Sequence, residues 1–338
     1  MQLTFEHHPS ALEALAGEWN ALLDRAATRV PFLRYEVQSL WWSSLGGGEW
    51  PSGELWLGTA RDEHGVLQGL CPLFQPGGPH PDGRLHLIGS FEISDYLDLI
   101  VPAPRSAELA SALLSSIGAE TSVTGLDLYN LPEASPTLNA LETAASERGW
   151  RSARQQLQPC PVVSLDGGWE AYLSRLDKKQ RHELRRKMRR ADESGSDVRL
   201  RLVSAQDDVQ AQGEAFLRLM ALDPTKASFL TDSMRAYFLG LTQAAFDCGC
   251  LHLAFLEVGS DLAAAYWSFD YGGRLWVYNS GLNPAYASLS PGWVLLGRLI
   301  QWAIEHGRHE IDFLRGDEGY KFRLGGVERS IYRLTLTR

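Results

Sequence analysis

A short apolar strand near the C-terminus ends in residue types that acid–base chemistry uses. Asp312 lies inside the strand, and a glycine-flanked loop follows it with Glu318 and Tyr320. Catalytic acids and bases are frequent on such loops. We expect Asp312 or Glu318 to deprotonate an acceptor and Tyr320 to protonate a leaving group. The cations of this segment, Arg315 and Lys321, are expected to bind an anionic part of a substrate. The alternative is a surface loop with ordinary ion pairs.

A helix that begins shortly before this strand has the form of a phosphate-binding site. The run Ser288-Leu-Ser-Pro-Gly-Trp places Pro291 at the first helical position, where its missing N–H group costs nothing. The free N–H groups of a helix start favour anions, although a capped Ser-Pro start is also common without any ligand. We expect Ser290 to cap the helix. The predicted phosphate-binding residues are Leu289, Ser290, Gly292 and Trp293.

A basic run earlier in the chain suggests a second contact with an anion. Residues 178–190 contain eight Lys or Arg and one Glu, within a chain whose formal net charge is −9. Arg181 and Arg185 lie one helical turn apart and are predicted to grip one phosphate. The ligand would be a nucleotide sugar, a lipid-linked phosphate or a tRNA. The alternative is a solvated helix face.

Two further residues are candidates for contact with the acceptor. Asp98 ends the motif Tyr96-Leu-Asp98 in the first half, and we expect it to reach a cleft shared by the two halves. A strand aspartate bonded to backbone is the alternative. Lys226 follows Asp223-Pro-Thr and is a second candidate, with an exposed turn lysine as its alternative.

Composition places the chain among globular proteins and excludes several classes. Its 338 residues are 44% hydrophobic and 22% charged, enough for two domains. The negative net charge argues against a general DNA or anionic-membrane binder. Four scattered cysteines indicate reduced thiols, and the N-terminus lacks the features of a signal peptide. No stretch approaches the roughly 18 apolar residues of a membrane span. No complete set of metal ligands is visible. We expect a cytoplasmic protein without a metal.

The elements that position these residues recur in two halves. A helix at Ala107–Ile117 precedes an apolar strand with an aspartate at Asp127, and a helix at Pro291–His306 precedes the strand with Asp312. This order predicts a duplicated α/β (α+β) fold. The predicted domains are residues 1–163 and 164–338.

Several other elements are expected from local patterns. Single helices are predicted over Pro9–Ala27 and Trp169–Glu193, and a strand is predicted over Tyr96–Val101. The Leu275–Leu282 segment is predicted to be a strand of a meander.

These motifs resemble a known family. Leu184-Arg-Arg, Leu289-Ser-Pro-Gly292 and Asp312–Lys321 are similar to the CelD-like branch of the GNAT acyltransferase superfamily, which is related to the Fem peptidyl transferases. Pro72-Leu-Phe74 and Tyr96-Leu-Asp98 extend the resemblance to the first half. It implies two tandem GNAT-like domains, each a mixed, mostly antiparallel central sheet flanked by helices. It also implies acetyl-CoA or another acyl-CoA as co-substrate, used mainly by the second domain.

The chain departs from the family pattern at the pyrophosphate turn. The usual Arg/Gln-x-x-Gly-x-Gly/Ala motif has Ala287 at its first position here and Ser290 in place of its middle glycine. The basic residue is therefore missing. In the Fem relatives the acyl donor is an aminoacyl-tRNA instead.

The sequence as a whole predicts an N-acyltransferase. An acyl group would pass from acyl-CoA directly to an amine or hydroxyl of a small acceptor, anionic or related to the cell envelope. A backbone N–H of the Leu275–Leu282 strand would polarise the thioester carbonyl. The alternatives are a Fem-like transferase that uses aminoacyl-tRNA and a non-catalytic protein that binds an anionic ligand.

Overall fold

The computed structural model divides the chain into two compact units. The first comprises Met1–Gln158 together with Ser330–Arg338, and the second comprises Pro159–Arg329. The structure describes residues 1–78, 82–89 and 91–338. The division therefore falls close to the predicted boundary at residue 163, but the last strand returns to the first unit. A strand that pairs with a segment far upstream in the chain leaves no local signal of that return.

The first unit is a mixed sheet with helices. Its sheet has the order β1-β2-β3-β4-β5-β12, in which β4 and β5 are parallel and the other described pairs are antiparallel. Strand β6 begins in the first unit and continues into the second. Strand β12 begins in the second unit and ends in the first. The strands are β1 (Gln2–Glu6), β2 (Gly53–Arg61), β3 (Leu67–Pro76), β4 (Arg84–Leu87), β5 (Gly125–Pro132), β6 (Arg151–Ser164) and β12 (Val327–Thr337). The helices are α1 (Ser10–Ala14), α2 (Ala16–Leu23), α3 (Tyr35–Gly48), α4 (Ser106–Ala119) and α5 (Pro136–Glu147).

The second unit repeats this plan. Its sheet has the order β6-β11-β10-β9-β8-β7, in which β10 and β11 are parallel and the other described pairs are antiparallel. The remaining strands are β7 (Val198–Leu202), β8 (Leu251–Val258), β9 (Asp261–Tyr271), β10 (Arg274–Leu282) and β11 (Glu310–Asp312). The helices are α6 (Gly168–Arg175), α7 (Lys178–Asp192), α8 (Val209–Met220), α9 (Pro224–Phe229), α10 (Asp232–Asp247), α11 (Pro291–Glu305) and α12 (Gly319–Arg323).

Both units use the same type of connection between parallel strands. Each described parallel pair is joined through a helix, β4 to β5 through α4 and β10 to β11 through α11. Parallel strands need such a crossover because a tight turn cannot reverse the chain twice. The predicted duplication and the mixed, mostly antiparallel sheet flanked by helices are therefore confirmed.

The core of the second unit lies where α11 covers the sheet. Buried residues recur along α11 at the spacing of one helix face and pack against β8, β9 and β10. Helix α7 lies on α11 although it is strongly basic. It contributes the buried Leu184, and a Cβ at Gly297 of α11 would meet Leu184 and Met188 at 3.1 Å and 2.7 Å. A side chain at this position would therefore displace the ends of Met188 and Leu184.

Some sequence expectations were wrong, and each has a local cause. The predicted Trp169–Glu193 helix is broken because Leu176 is extended and the Asp177 carboxylate caps α7, accepting a hydrogen bond from the Gln180 amide at 3.0 Å. The predicted helix over 9–27 is likewise two short helices, α1 and α2. The predicted strand over 96–101 makes only the bridge between Leu70 and Ile100 within the described residues.

Candidate active site

The gap between β10 and β11 forms the framework of the site. The two strands pair in parallel from Arg274 with Glu310 to Trp276 with Asp312, where their described pairing ends. Strand β10 continues to Leu282, and the chain after Asp312 turns away. The edge of β10 beyond Trp276 therefore faces the gap. Its register against β9 also shifts around Tyr278, and such a bulge leaves backbone groups outside the ladder.

Asp312 shapes the turn that opens this gap. Its side chain is buried, and its Oδ1 accepts a hydrogen bond from the Leu314 amide at 2.8 Å. Leu314 has a φ of +56°, a conformation that residues with a Cβ rarely adopt. The carboxylate therefore holds a strained turn.

Lys321 organises the loop that follows. Its ammonium is buried and donates hydrogen bonds to the carbonyl oxygens of Arg315 at 2.5 Å and Leu314 at 3.1 Å. It also lies 3.0 Å from Oε2 of Glu318, whose side chain is 56% exposed. The structure therefore places the Lys321 charge inside the loop, whereas Glu318 remains open to solvent. The Arg315 side chain is half-buried at the same turn.

Two tyrosines lie beside Glu318. Tyr320 packs edge-to-face on Phe313 at 6.1 Å between ring centroids, and burial, followed by the Glu318 charge, raises the pKa of its phenol. Burial also raises the pKa of Tyr266 on β9, with smaller contributions from Tyr320 and Glu318. Both phenols therefore keep their proton at neutral pH. Sequence reasoning missed Tyr266, whose signal was a lone hydroxyl in the apolar run 263–267.

Lys226 approaches the site from α9. Asp223 caps this helix by accepting a hydrogen bond from the Thr225 amide at 2.8 Å. The Lys226 ammonium donates to the carbonyl of Ser280 at 2.6 Å and to the side chain of Asn279 at 3.1 Å. Burial lowers the pKa of Lys226, and the charges of Asp223 and Glu318 oppose that shift. The lysine thus tethers α9 to the bulged part of β10, a contact that sequence reasoning did not foresee.

The start of α11 lies close to Tyr266. A Cβ at Gly292 would be 3.2 Å from Leu282 and 3.7 Å from the Tyr266 hydroxyl. Pro291 occupies the start of the helix, as predicted. The expectation that Ser290 caps the helix was wrong. The Ser290 φ is +54°, outside the extended region that a capping side chain needs. Its carbonyl instead accepts a hydrogen bond from the Trp293 amide at 3.0 Å.

Helix α7 presents its cations on two flanks. Arg185 is paired with Glu170 of α6 at 2.7 Å, and the half-buried Arg181 precedes it by one turn. On the other flank, Lys187 lies 4.5 Å above the Trp293 ring, and Arg190 donates to the Ser288 carbonyl. The cations that reach the predicted phosphate turn are therefore Lys187 and Arg190, which sequence reasoning did not single out.

Asp98 belongs to the interior of the first unit. It is fully buried, accepts hydrogen bonds from Ser135 and Thr28 and accepts another from the Leu99 amide at 2.8 Å. Burial raises the pKa of its carboxyl group. This arrangement matches the alternative of a structural aspartate. Ser90, in the loop that precedes Asp98, lies outside the described residues.

Within the described parts of the chain, one group of side chains has metal-ligand spacing. Candidate ligand atoms of Asp82, His86 and Asp127 in the first unit lie within 4.8 Å of one another. Asp127 accepts two hydrogen bonds from Arg333 at 2.6 and 2.7 Å. Arg84 lies 3.7 Å from Asp82 and 3.9 Å from Asp127. Because guanidinium groups already balance the carboxylates, we assign no metal to this cluster.

Comparison with known proteins gives a family match within the second unit. Residues 178–322 match the family described as "Acetyltransferase (GNAT) domain". This segment is a GNAT acyltransferase domain. It begins at α7 and ends within α12, so it contains every element of the site described above. No curated protein matches the chain.

Solved structures share the tandem fold of this chain. A structure of FemX has a TM-score of 0.67 at 11% identity and aligns 98% of this chain with 97% of its own. L-PGS from Bacillus licheniformis has a TM-score of 0.57 at 13% identity, with coverages of 98% and 92%. A tandem GNAT protein from the clavulanic acid biosynthesis pathway has a TM-score of 0.53 at 13% identity, with coverages of 99% and 98%. At these identities the likeness shows the fold alone, which is two GNAT-like units in tandem.

Among the described residues, no helix has the length and apolar character needed to cross a bilayer.

Proposed function

We propose that the GNAT domain transfers an acyl group from acyl-CoA directly to an amine or hydroxyl of a small acceptor. The observation that carries the proposal is the position of the Tyr266 hydroxyl, 3.7 Å from where a Cβ of Gly292 would lie at the start of α11. The charges of Tyr320 and Glu318 act on Tyr266. We therefore propose that an acid, a base and a phosphate-binding helix start work together there. Direct transfer needs these groups and no covalent nucleophile.

The roles follow from the environment of each group. Glu318 is the proposed base, because its carboxylate is open to solvent whereas Asp312 is buried and bonded to backbone. Tyr320 is the proposed acid because its hydroxyl carries a proton and Glu318 lies close enough to influence it. Burial raises the pKa of this phenol and so makes it a weaker acid, which limits the contribution that we propose for it. A backbone N–H at the bulge of β10 is proposed to polarise the thioester carbonyl, with Lys226 holding Asn279 and Ser280 in place.

The donor is proposed to lie with its pyrophosphate at the start of α11. Gly292 and Trp293 would offer N–H groups there, and the positive end of the helix dipole favours the anion. Leu289 and Ser290 form the preceding turn, whose left-handed Ser290 directs the chain into the helix. The proposed acceptor is small and anionic or envelope-related, with Arg315 near its entry.

Calorimetric titration with acetyl-CoA tests this proposal. We expect saturable one-site binding that is lost in Gly292→Leu, because the added side chain would collide with Leu282 and approach the Tyr266 hydroxyl. Gly118→Leu is the matched control, since a Cβ at Gly118 meets no atom within 4 Å. No binding of acetyl-CoA at millimolar concentration would refute the donor.

A second candidate is transfer from aminoacyl-tRNA, as in the Fem relatives. The exposed cations of α7 favour it, because Arg186 and Arg189 are open to solvent and would suit an RNA backbone. It predicts binding of charged tRNA that weakens steeply with salt and with Arg181→Ala or Arg185→Ala. Binding that does not change with salt would count against it.

A further inference from the structure

The turn before α11 lacks the basic residue of the family's pyrophosphate motif, and helix α7 lies beside this turn. The family motif has a basic residue where this chain has Ala287. Arg190 of α7 donates to the carbonyl of Ser288, the next residue along the turn. Helix α7 therefore brings positive charge to a turn whose own sequence lacks it.

A groove begins beside this turn and runs along α7. It has a volume of about 270 Å³ and is walled by α7, by Trp293 of α11 and by Arg323 of α12. Its lining residues are Lys179, Gln180, Glu183, Lys187, Trp293 and Arg323. Trp293 follows Gly292 directly. A ligand whose pyrophosphate occupies the helix start can therefore continue into the groove without a break.

The charges of the groove suit an anion. It contains three cations and one carboxylate, and the carboxylate of Glu183 already accepts a hydrogen bond from Arg186 outside the groove at 2.9 Å. Lys179 and Arg323 are exposed and form no ion pair among the described residues. Lys187 is 3.4 Å from Glu183 and lies over the Trp293 ring, so its ammonium is held at the wall.

We propose that this groove binds the phosphate on the ribose of the donor's adenosine, with Lys179, Lys187 and Arg323 as its ligands. The proposal rests on the proposed function and names a subsite of the same donor. A ribose phosphate lies only a few bonds from the pyrophosphate of coenzyme A, which matches a groove that starts one residue beyond Gly292. Three ammonium or guanidinium groups around a phosphate form charge-assisted hydrogen bonds, the strong class in proteins. Helix α7 thus supplies the donor selectivity that the turn itself lacks.

Comparing coenzyme A with 3′-dephospho-coenzyme A tests the proposal, because the two ligands differ only in this phosphate. In titrations of the full chain, we expect coenzyme A to bind about tenfold more tightly, as one or two charge-assisted hydrogen bonds at an exposed site would give. In Lys179→Gln/Arg323→Gln that preference should fall close to one, with the affinity for the dephospho ligand unchanged, because neither residue lies at the turn that holds the pyrophosphate. Lys178→Gln, an exposed change on the same helix outside the groove lining, should keep the preference.

The possible results separate the two proposals. Equal binding of both ligands by the unmodified protein overturns the subsite and leaves the acyl-CoA proposal standing. A preference that survives in the double variant also overturns it, since the phosphate would then be bound elsewhere. Failure of both ligands to bind refutes the donor itself and the subsite with it.

Discussion

Replacing Lys321 by methionine tests whether one buried charge holds the catalytic loop. Methionine keeps most of the side-chain length and removes the ammonium. The carbonyls of Arg315 and Leu314 then lose a charged donor at 2.5 and 3.1 Å, and Glu318 loses its partner at 3.0 Å. The bond to the Gly316 carbonyl, at 3.4 Å, is too long to add much.

The expected cost follows from these contacts. A hydrogen bond to a charged group contributes about 1.5–3 kcal/mol, so the two carbonyl bonds set a range of roughly 3–6 kcal/mol. Water can reach the half-buried Arg315 and Gly316 and can replace part of the lost hydrogen bonding. The Glu318 pair is exposed on one side and contributes about 1 kcal/mol or less. We expect Lys321→Met to lower the free energy of unfolding by about 3 kcal/mol, which corresponds to roughly 6–12 °C in melting temperature for a unit of this size.

Urea unfolding followed by fluorescence, with a thermal melt, is the assay. Lys178→Met changes an exposed lysine on α7 and is the matched control. This control should alter the free energy of unfolding by about 0.5 kcal/mol or less. Transferase activity of Lys321→Met should fall further than stability alone explains, because the loop positions Glu318. A loss below about 1 kcal/mol in Lys321→Met would show that the buried ammonium does not hold the loop and would refute the reasoning.

Three further perturbations follow from the site and the core. Glu318→Gln should lower kcat by about 10²–10⁴-fold while the KM for acetyl-CoA changes little, because a positioned base acts on the acceptor. Steady-state kinetics measure both constants. An unchanged kcat would exclude Glu318 as the base. Tyr320→Phe should remove the proton donor and lower kcat with acetyl-CoA. The loss should be smaller with a thioester whose thiol is more acidic, because that leaving group needs a proton less. Equal losses of kcat with the two thioesters would contradict an acid role. Burial lowers the pKa of His252 to about 4, so the folded state resists the proton that the unfolded state accepts below about 6.5. Stability should therefore fall by about 3 kcal/mol as the pH drops from about 6.5 to about 4. His252→Leu should make the free energy of unfolding, measured by urea titration, depend less on pH. His182→Leu, a change at an exposed histidine, should leave the pH dependence as it is.

The sequence located the main elements of the site because their signals are local. The α11 helix carries an apolar stripe with proline at its start, and the strand with Asp312 follows it directly. The duplicated order of helix and strand was visible for the same reason. Within the loop after β11, however, Lys321 is turned into the loop and Asp312 holds a backbone turn.

Other parts of the site arise only from long-range packing. Lys226 reaches Asn279 and Ser280, which lie in a different element much later in the chain, and Tyr266 approaches Gly292 from a neighbouring strand. Neither contact has a spacing that a single-sequence pattern can reveal. The same holds for Arg190 of α7 and Ser288, which are also distant in sequence.

The sequence by itself therefore determined the fold class, the duplication and the positions of the helix start and of the acid–base residue types that follow it. These depend on hydrophobic period, turn residues and residue type, all of which are written within a few turns of chain. The tertiary structure alone decided which groups are available for chemistry. Burial makes Lys321, Asp312 and Asp98 structural contacts. The packing of α7 on α11 places Lys187 and Arg190, rather than Arg181 and Arg185, beside the turn that precedes α11. Availability depends on burial and on partners distant in the chain, and the tertiary structure fixes both.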